Sequence, residues 1–92
     1  MLEKVKLALR IVTTAFDSEI NDLIDAALAD LELAGVENLV QTDPLVIRAV
    51  TTYCKAYFGS PEDGEYDRLK AAYDEQKAQL QTATGYTDWG DS

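Results

Sequence analysis

The sequence contains no histidine and a single cysteine, Cys54. The first absence removes the commonest general base, the serine and cysteine triads built on it, and the usual zinc ligand. The second excludes an internal disulfide and a multi-cysteine metal site, and points to a reducing compartment. Glycine is scarce and scattered. Its five copies fall singly at expected helix ends and in the last ten positions, so no glycine-rich phosphate loop exists. Long apolar runs are missing too. Nothing approaches the ~20 consecutive apolar residues of a membrane span. The alternation Leu2, Glu3, Lys4, Val5, Lys6 is not the opening of a signal peptide. The expectation is a soluble protein of the cytoplasm.

Bases are the other shortage. Eight face seventeen acids, for a net charge of −9, and the imbalance is local. Residues 17–35 carry six acids and no base, and residues 60–92 carry eight acids against three bases. Residues 1–16 are net basic, with Lys4, Lys6 and Arg10 against Glu3, and residues 36–59 balance. Affinity for nucleic acid comes from cations that displace phosphate counterions. Such a chain repels DNA, and suits contact with DNA only where adhesion is unwanted.

What is present is a small globular domain. Of 92 residues, 47% are hydrophobic and 27% charged, an ordinary folded composition. A chain of this length buries a modest core, so a partner that binds only the folded form adds usefully to its stability.

The hydrophobic spacing predicts four helices, near residues 2–10, 17–34, 44–58 and 65–82, an all-α bundle with no repeat and no second domain. Leu2, Val5, Ala8 and Leu9 mark the first. Ile11 to Thr14, rich in β-branching, suit an extended connection. The second has a stripe of Ile20, Leu23, Ile24, Ala27, Leu28 and Leu31, with Asp17 or Ser18 as cap and Gly35 as its left-handed stop. Asp43-Pro44 starts the third and Gly59 ends it. Its apolar set is so wide that it must be central in its own domain or cover another subunit. Tyr66, Leu69, Tyr73, Gln76 and Leu80 line the fourth, beside the charge pair Lys70 and Asp74. Leu23, Ile24, Ala27, Leu28, Val50, Tyr53 and Leu69 are the expected core. Residues 83–92 show no periodicity and are expected to be a tail, disordered in the free chain.

Two acidic features resemble metal sites. Asp63, Glu65 and Asp67 alternate like the start of a calcium loop, but Arg68 occupies the turn position and Asp74 the bidentate one. Glu19, Asp22 and Asp25 stand one turn apart on the second helix, and an exposed acidic face accounts for them better than magnesium does. Cys54 lies in an apolar stripe and reads as a small core hydrophobe. Tyr53, Tyr57, Tyr66 and Tyr73 stand at helical spacing and read as core or subunit interface rather than a ligand cage. No catalytic residue, cofactor site or metal site is expected.

Taken in order, LEKVKLALRI, FDSEINDLIDAALADLELAGV, DPLVIRAVTTYCKAYFG and YDRLKAAYDEQKAQLQ followed by GYT resemble the head–tail connector (adaptor) family of tailed bacteriophages. Each piece alone is a generic helix pattern. Their order and spacing over residues 2–87, with the DP start and FG stop of the third helix, carry the likeness, and DWGDS at the end lies outside it.

The resemblance implies a structural protein without cofactor. It implies a homo-oligomeric ring below the portal protein, made in the host cytoplasm and kept at the head–tail junction of the virion. DNA passes through such a ring, and a stopper or tail-completion protein docks on it. On that reading the assembly interface falls on Tyr53, Tyr57, Tyr66, Tyr73, Tyr86 and Trp89, and Glu19, Asp22 and Asp25 face the bore. The rival reading is a monomeric acidic binding protein, a DNA mimic or an inhibitor of a basic partner. A helix-turn-helix regulator is weaker, since no basic recognition helix follows Gly35.

Overall fold

The computed structural model describes residues 1–36, 39–40, 42–59, 61–62 and 64–91, with side chains through Thr82. Four helices follow in order: α1 (Leu2–Leu9), α2 (Asp17–Leu33), α3 (Pro44–Tyr57) and α4 (Glu65–Asp91). No strand occurs among the described residues.

The helix ends show why the chain turns where it does. α1 stops at Arg10, whose left-handed backbone (φ 61°) directs its amide to the Leu7 carbonyl, while the Ile11 amide reaches Lys6. A non-glycine residue there bears a strain of about 1–2 kcal/mol. Gly35 (φ 88°) ends α2 without that strain, its amide bonding to Glu32 and that of Val36 to Leu31. Asp43 caps α3 by accepting from the Leu45 amide at 2.8 Å, with Pro44 in the first turn.

The start of α2 departs from expectation. Neither Asp17 nor Ser18 caps it; Phe16 occupies the cap position and lends no side-chain bond. Asp17 is drawn instead to Lys6, 2.8 Å away. A buried ammonium needs an anion more than a helix end needs one more acceptor.

The last helix also differs. α4 passes the expected stop at Thr82 and its backbone stays helical to Asp91. No proline follows Pro61 to break the ladder, and glycine weakens a helix by only about 1 kcal/mol. The expected tail at 83–92 therefore begins inside a helix, and its side chains lie outside the described residues. At 1.5 Å per residue, 27 residues span about 40 Å, which accounts for the long axis of 47 Å in a body only 27 × 18 Å across.

α3 is the hub. It packs on α1, α2 and α4, and α1 also packs on α2. Of the two explanations for its broad apolar surface, the central position is the one observed: Val46, Ala49, Val50, Cys54 and Ala56 are buried within the subunit. The interior centres on Val5, Ile20, Leu31, Val50, Cys54 and Tyr73.

The expected core is right in part. Ile24, Ala27 and Val50 are buried, while Leu23, Leu28 and Tyr53 are half-buried at its margin. Leu69 is half-buried and lies outside the cluster. The buried line of α2 runs Ile20, Ile24, Ala27, Leu31, and Leu23 and Leu28 flank it.

Candidate assembly surface

Four tyrosines form one continuous train from surface to core. The Tyr57 and Tyr66 rings meet edge to face at 5.7 Å, with their hydroxyls 3.2 Å apart. Tyr57 leans on Tyr53 at 4.6 Å, one turn earlier on α3, and Tyr53 meets Tyr73 of α4 at 5.3 Å. Aromatic pairs at such separations add to simple burial, so the train fastens α3 to α4 along their shared seam. Its two ends differ. Tyr73 is 2% exposed, whereas Tyr57 and Tyr66 are 40% and 38% exposed. Of the residues proposed for assembly, Tyr57 and Tyr66 present ring surface outward, Tyr53 is half-buried and Tyr73 belongs to the interior. Tyr86 and Trp89 lie outside the described side chains.

Tyr73 has a polar role as well. Its hydroxyl donates to Asp30 Oδ2 at 2.5 Å, and Lys77 donates to the same oxygen at 3.2 Å while its ammonium lies 5.2 Å from the Tyr73 ring centre. The Tyr73 hydrogen bond, helped by Lys77, holds the Asp30 carboxyl below its ordinary range despite some burial. Burial first, and then the bond to Asp30, push the Tyr73 phenol upward. The bond to Tyr66 together with burial pushes Tyr57 up to about 12.

Cys54 is buried and its thiol is pushed up to about 12 by desolvation, so it is an inert packing group.

Glu19, Asp22 and Asp25 are all exposed, on the side of α2 away from its buried line. No ion pair holds them among the described residues, and no group of three or more histidine, cysteine or acidic residues there is arranged to hold a metal ion. Of the alternating acids after Pro61, Asp63 lies outside the described residues. An open groove of about 350 Å³ is lined by Ala8 and Leu9 of α1, Lys55 and Phe58, and Pro61 and Glu65. No helix among the described residues is long and apolar enough to cross a membrane.

Three features escaped sequence reasoning. Lys6 is buried against Asp17, although its place between Leu2 and Leu9 on the apolar face of α1 was a usable signal. Asp30 lies off the α2 stripe, and only the arrival of α4 makes it a partner. Leu7 and Leu33 are 79% and 88% exposed, on faces the buried stripes leave outward.

The described residues form an all-helical domain with an acidic outer face on α2 and an aromatic seam between α3 and α4. A family model described as phage connector protein matches residues 1–87. The chain belongs to that family. It is thereby a bacteriophage structural protein, a virion component that contacts other head and tail proteins. No curated protein and no solved structure matches it. The comparison lends nothing to the reading as an acidic mimic or inhibitor.

Proposed function

We propose that the protein is an adaptor subunit that assembles into a ring beneath the portal of a tailed-phage head. The ring passes DNA and offers a platform to the stopper or tail-completion protein. The observation that carries this reading is the match to the connector family over residues 1–87, nearly the whole chain. The geometry supplies a fitting surface: Glu19, Asp22 and Asp25 stand outward without cation partners among the described residues, and a wall of like charge keeps a DNA duplex from adhering.

In this proposal those carboxylates face the bore. Tyr57 and Tyr66, with Tyr86 and Trp89 beyond them, form the aromatic contact with the portal or the adjoining subunit. The protein works as a scaffold, with no catalytic step and no cofactor, and it joins the head in the host cytoplasm.

The test is docking. Purified protein should sediment with DNA-filled, portal-bearing heads that lack their own adaptor, and leave portal-free shells in the supernatant. Equal recovery with both, or none with either, refutes the proposal. The double substitution Asp22→Lys with Asp25→Lys should leave docking intact and slow DNA passage, because cations in the bore would hold phosphate.

A further inference from the structure

Two outward faces of the subunit are complementary to one another. On α1, Lys4 and Leu7 stand three residues apart and are neighbours on the helix surface, Arg10 follows as the left-handed C-cap, and all three are exposed. Glu3 beside them is the single acid of this face, and neither cation has an ion-pair partner among the described residues. On α2, Ala26, Ala29, Glu32 and Leu33 are exposed on the side opposite Ile24, Ala27 and Leu31, with Asp25 at the margin. That end of α2 has no base in its last turn and carries the negative pole of the helix dipole. Leu7 and Leu33 thus project from faces of opposite charge, each nearly bare of cover.

We infer that these faces bind one another between copies of the chain, Lys4–Leu7–Arg10 of one subunit lying on Ala29–Glu32–Leu33 of the next. The occupant is a second copy for a reason of charge. On a protein of net charge −9, residues 1–16 carry three bases against one acid, with Lys4 and Arg10 exposed and unpaired among the described residues, and the last two turns of α2 offer them carboxylates, a helix C-terminus and small residues that permit close approach. The lengths agree as well. Eight residues of helix span about 12 Å, so α1 covers only about half of α2, residues 26–33, and leaves Glu19, Asp22 and Asp25 uncovered. Because the two faces differ, the contact is head-to-tail, and it repeats until a ring closes. The inference rests on the ring assembly proposed above and adds the faces that make it.

The test uses charge reversal on the full chain, with mass read by sedimentation equilibrium at low salt up to about 1 mM protein. The wild type should form species larger than two copies as its concentration rises. Lys4→Glu with Leu7→Glu, and separately Glu32→Lys with Leu33→Lys, should each weaken association at least about tenfold. All four positions are exposed, so circular dichroism and melting temperature should stay at wild-type values and show that each variant folds. An equimolar mixture of the two variants should regain large species, because each then meets a complementary neighbour on both sides. A wild type that stays monomeric, a reversed variant that associates like the wild type, or a mixture that stays dissociated overturns the contact. Growth that stops at two copies overturns the head-to-tail order. The docking experiment separates this result from the proposed function: a monomeric wild type that still docks leaves that function standing. If the reversed variants of such a monomer fail to dock, the faces meet the portal and not a second copy.

Discussion

The Tyr73 hydroxyl reaches across 43 positions of chain to donate a 2.5 Å hydrogen bond to Asp30, and this bond closes α4 onto α2. Lys77 to Asp30, and Gln81 to the carbonyl of Ala34 at the end of α2, are further side-chain ties among the described residues. Tyr73→Phe keeps the buried ring and removes the donor. The expected loss is about 1.5–3 kcal/mol, the range for a hydrogen bond to a charged group, read from urea unfolding. The pH dependence follows from the lowered Asp30 carboxyl. Its stabilisation is fully present above the unfolded value of 3.8 and is lost as pH falls through the lower folded value. The substitution should therefore flatten the stability profile below pH 3.8 and leave its slope near neutrality unchanged.

At the alkaline end the sign reverses. Tyr53, Tyr57 and Tyr73 are neutral in the fold with phenols raised above the ordinary 10.0, Tyr57 to about 12. Stability from these groups is complete below pH 10 and lost as pH rises through the folded values. Phenolate absorbance should develop late and together with loss of helical signal. Early ionisation of all five tyrosines, with the fold intact, would contradict the packed train.

Leu31 and Leu28 lie one turn apart on α2 and should respond differently. Leu31 is fully buried, so Leu31→Ala should cost about 2–5 kcal/mol, a large part of a small domain's stability. Leu28 is half-buried at the core margin, and Leu28→Ala should cost clearly less. Chemical unfolding of both variants checks the order. Equal losses would mean that Leu28 packs as deeply as Leu31.

Ending the chain after Thr84 removes Tyr86 and Trp89. Among the described residues, the ties that hold α4, from Tyr73 to Asp30, Arg48 to Gln79 at 2.6 Å, and Gln81 to Ala34, precede the cut. Stability should therefore change by less than about 0.5 kcal/mol. If the removed aromatics anchor the protein to the portal, as proposed, the shortened chain should fold normally and fail to sediment with portal-bearing heads. Full docking by the truncated protein would remove these two residues from the interface.

Local rules were enough to read the framework of this protein from its residues. Pro44 behind Asp43, and Gly35 and Gly59 in left-handed conformations, set helix ends through chemistry confined to a few neighbouring residues. The helical period showed which side of α2 turns inward. The acidic face of Glu19, Asp22 and Asp25 was legible for the same reason, as residues one turn apart share a side of a helix whatever surrounds it.

The tertiary structure decided what depends on which helices meet. Tyr73 and Tyr66 have the same side chain on the same helix. α2 and α3 enclose the first, and the second remains at the surface beside Tyr57. Asp17 looked like a cap until the fold brought Lys6 to it, and the breadth of α3 kept two explanations until three neighbours were seen packed around it. Burial and ion pairing are properties of residues distant in sequence. A periodic pattern identifies the side that must be covered, and only packing determines what covers it.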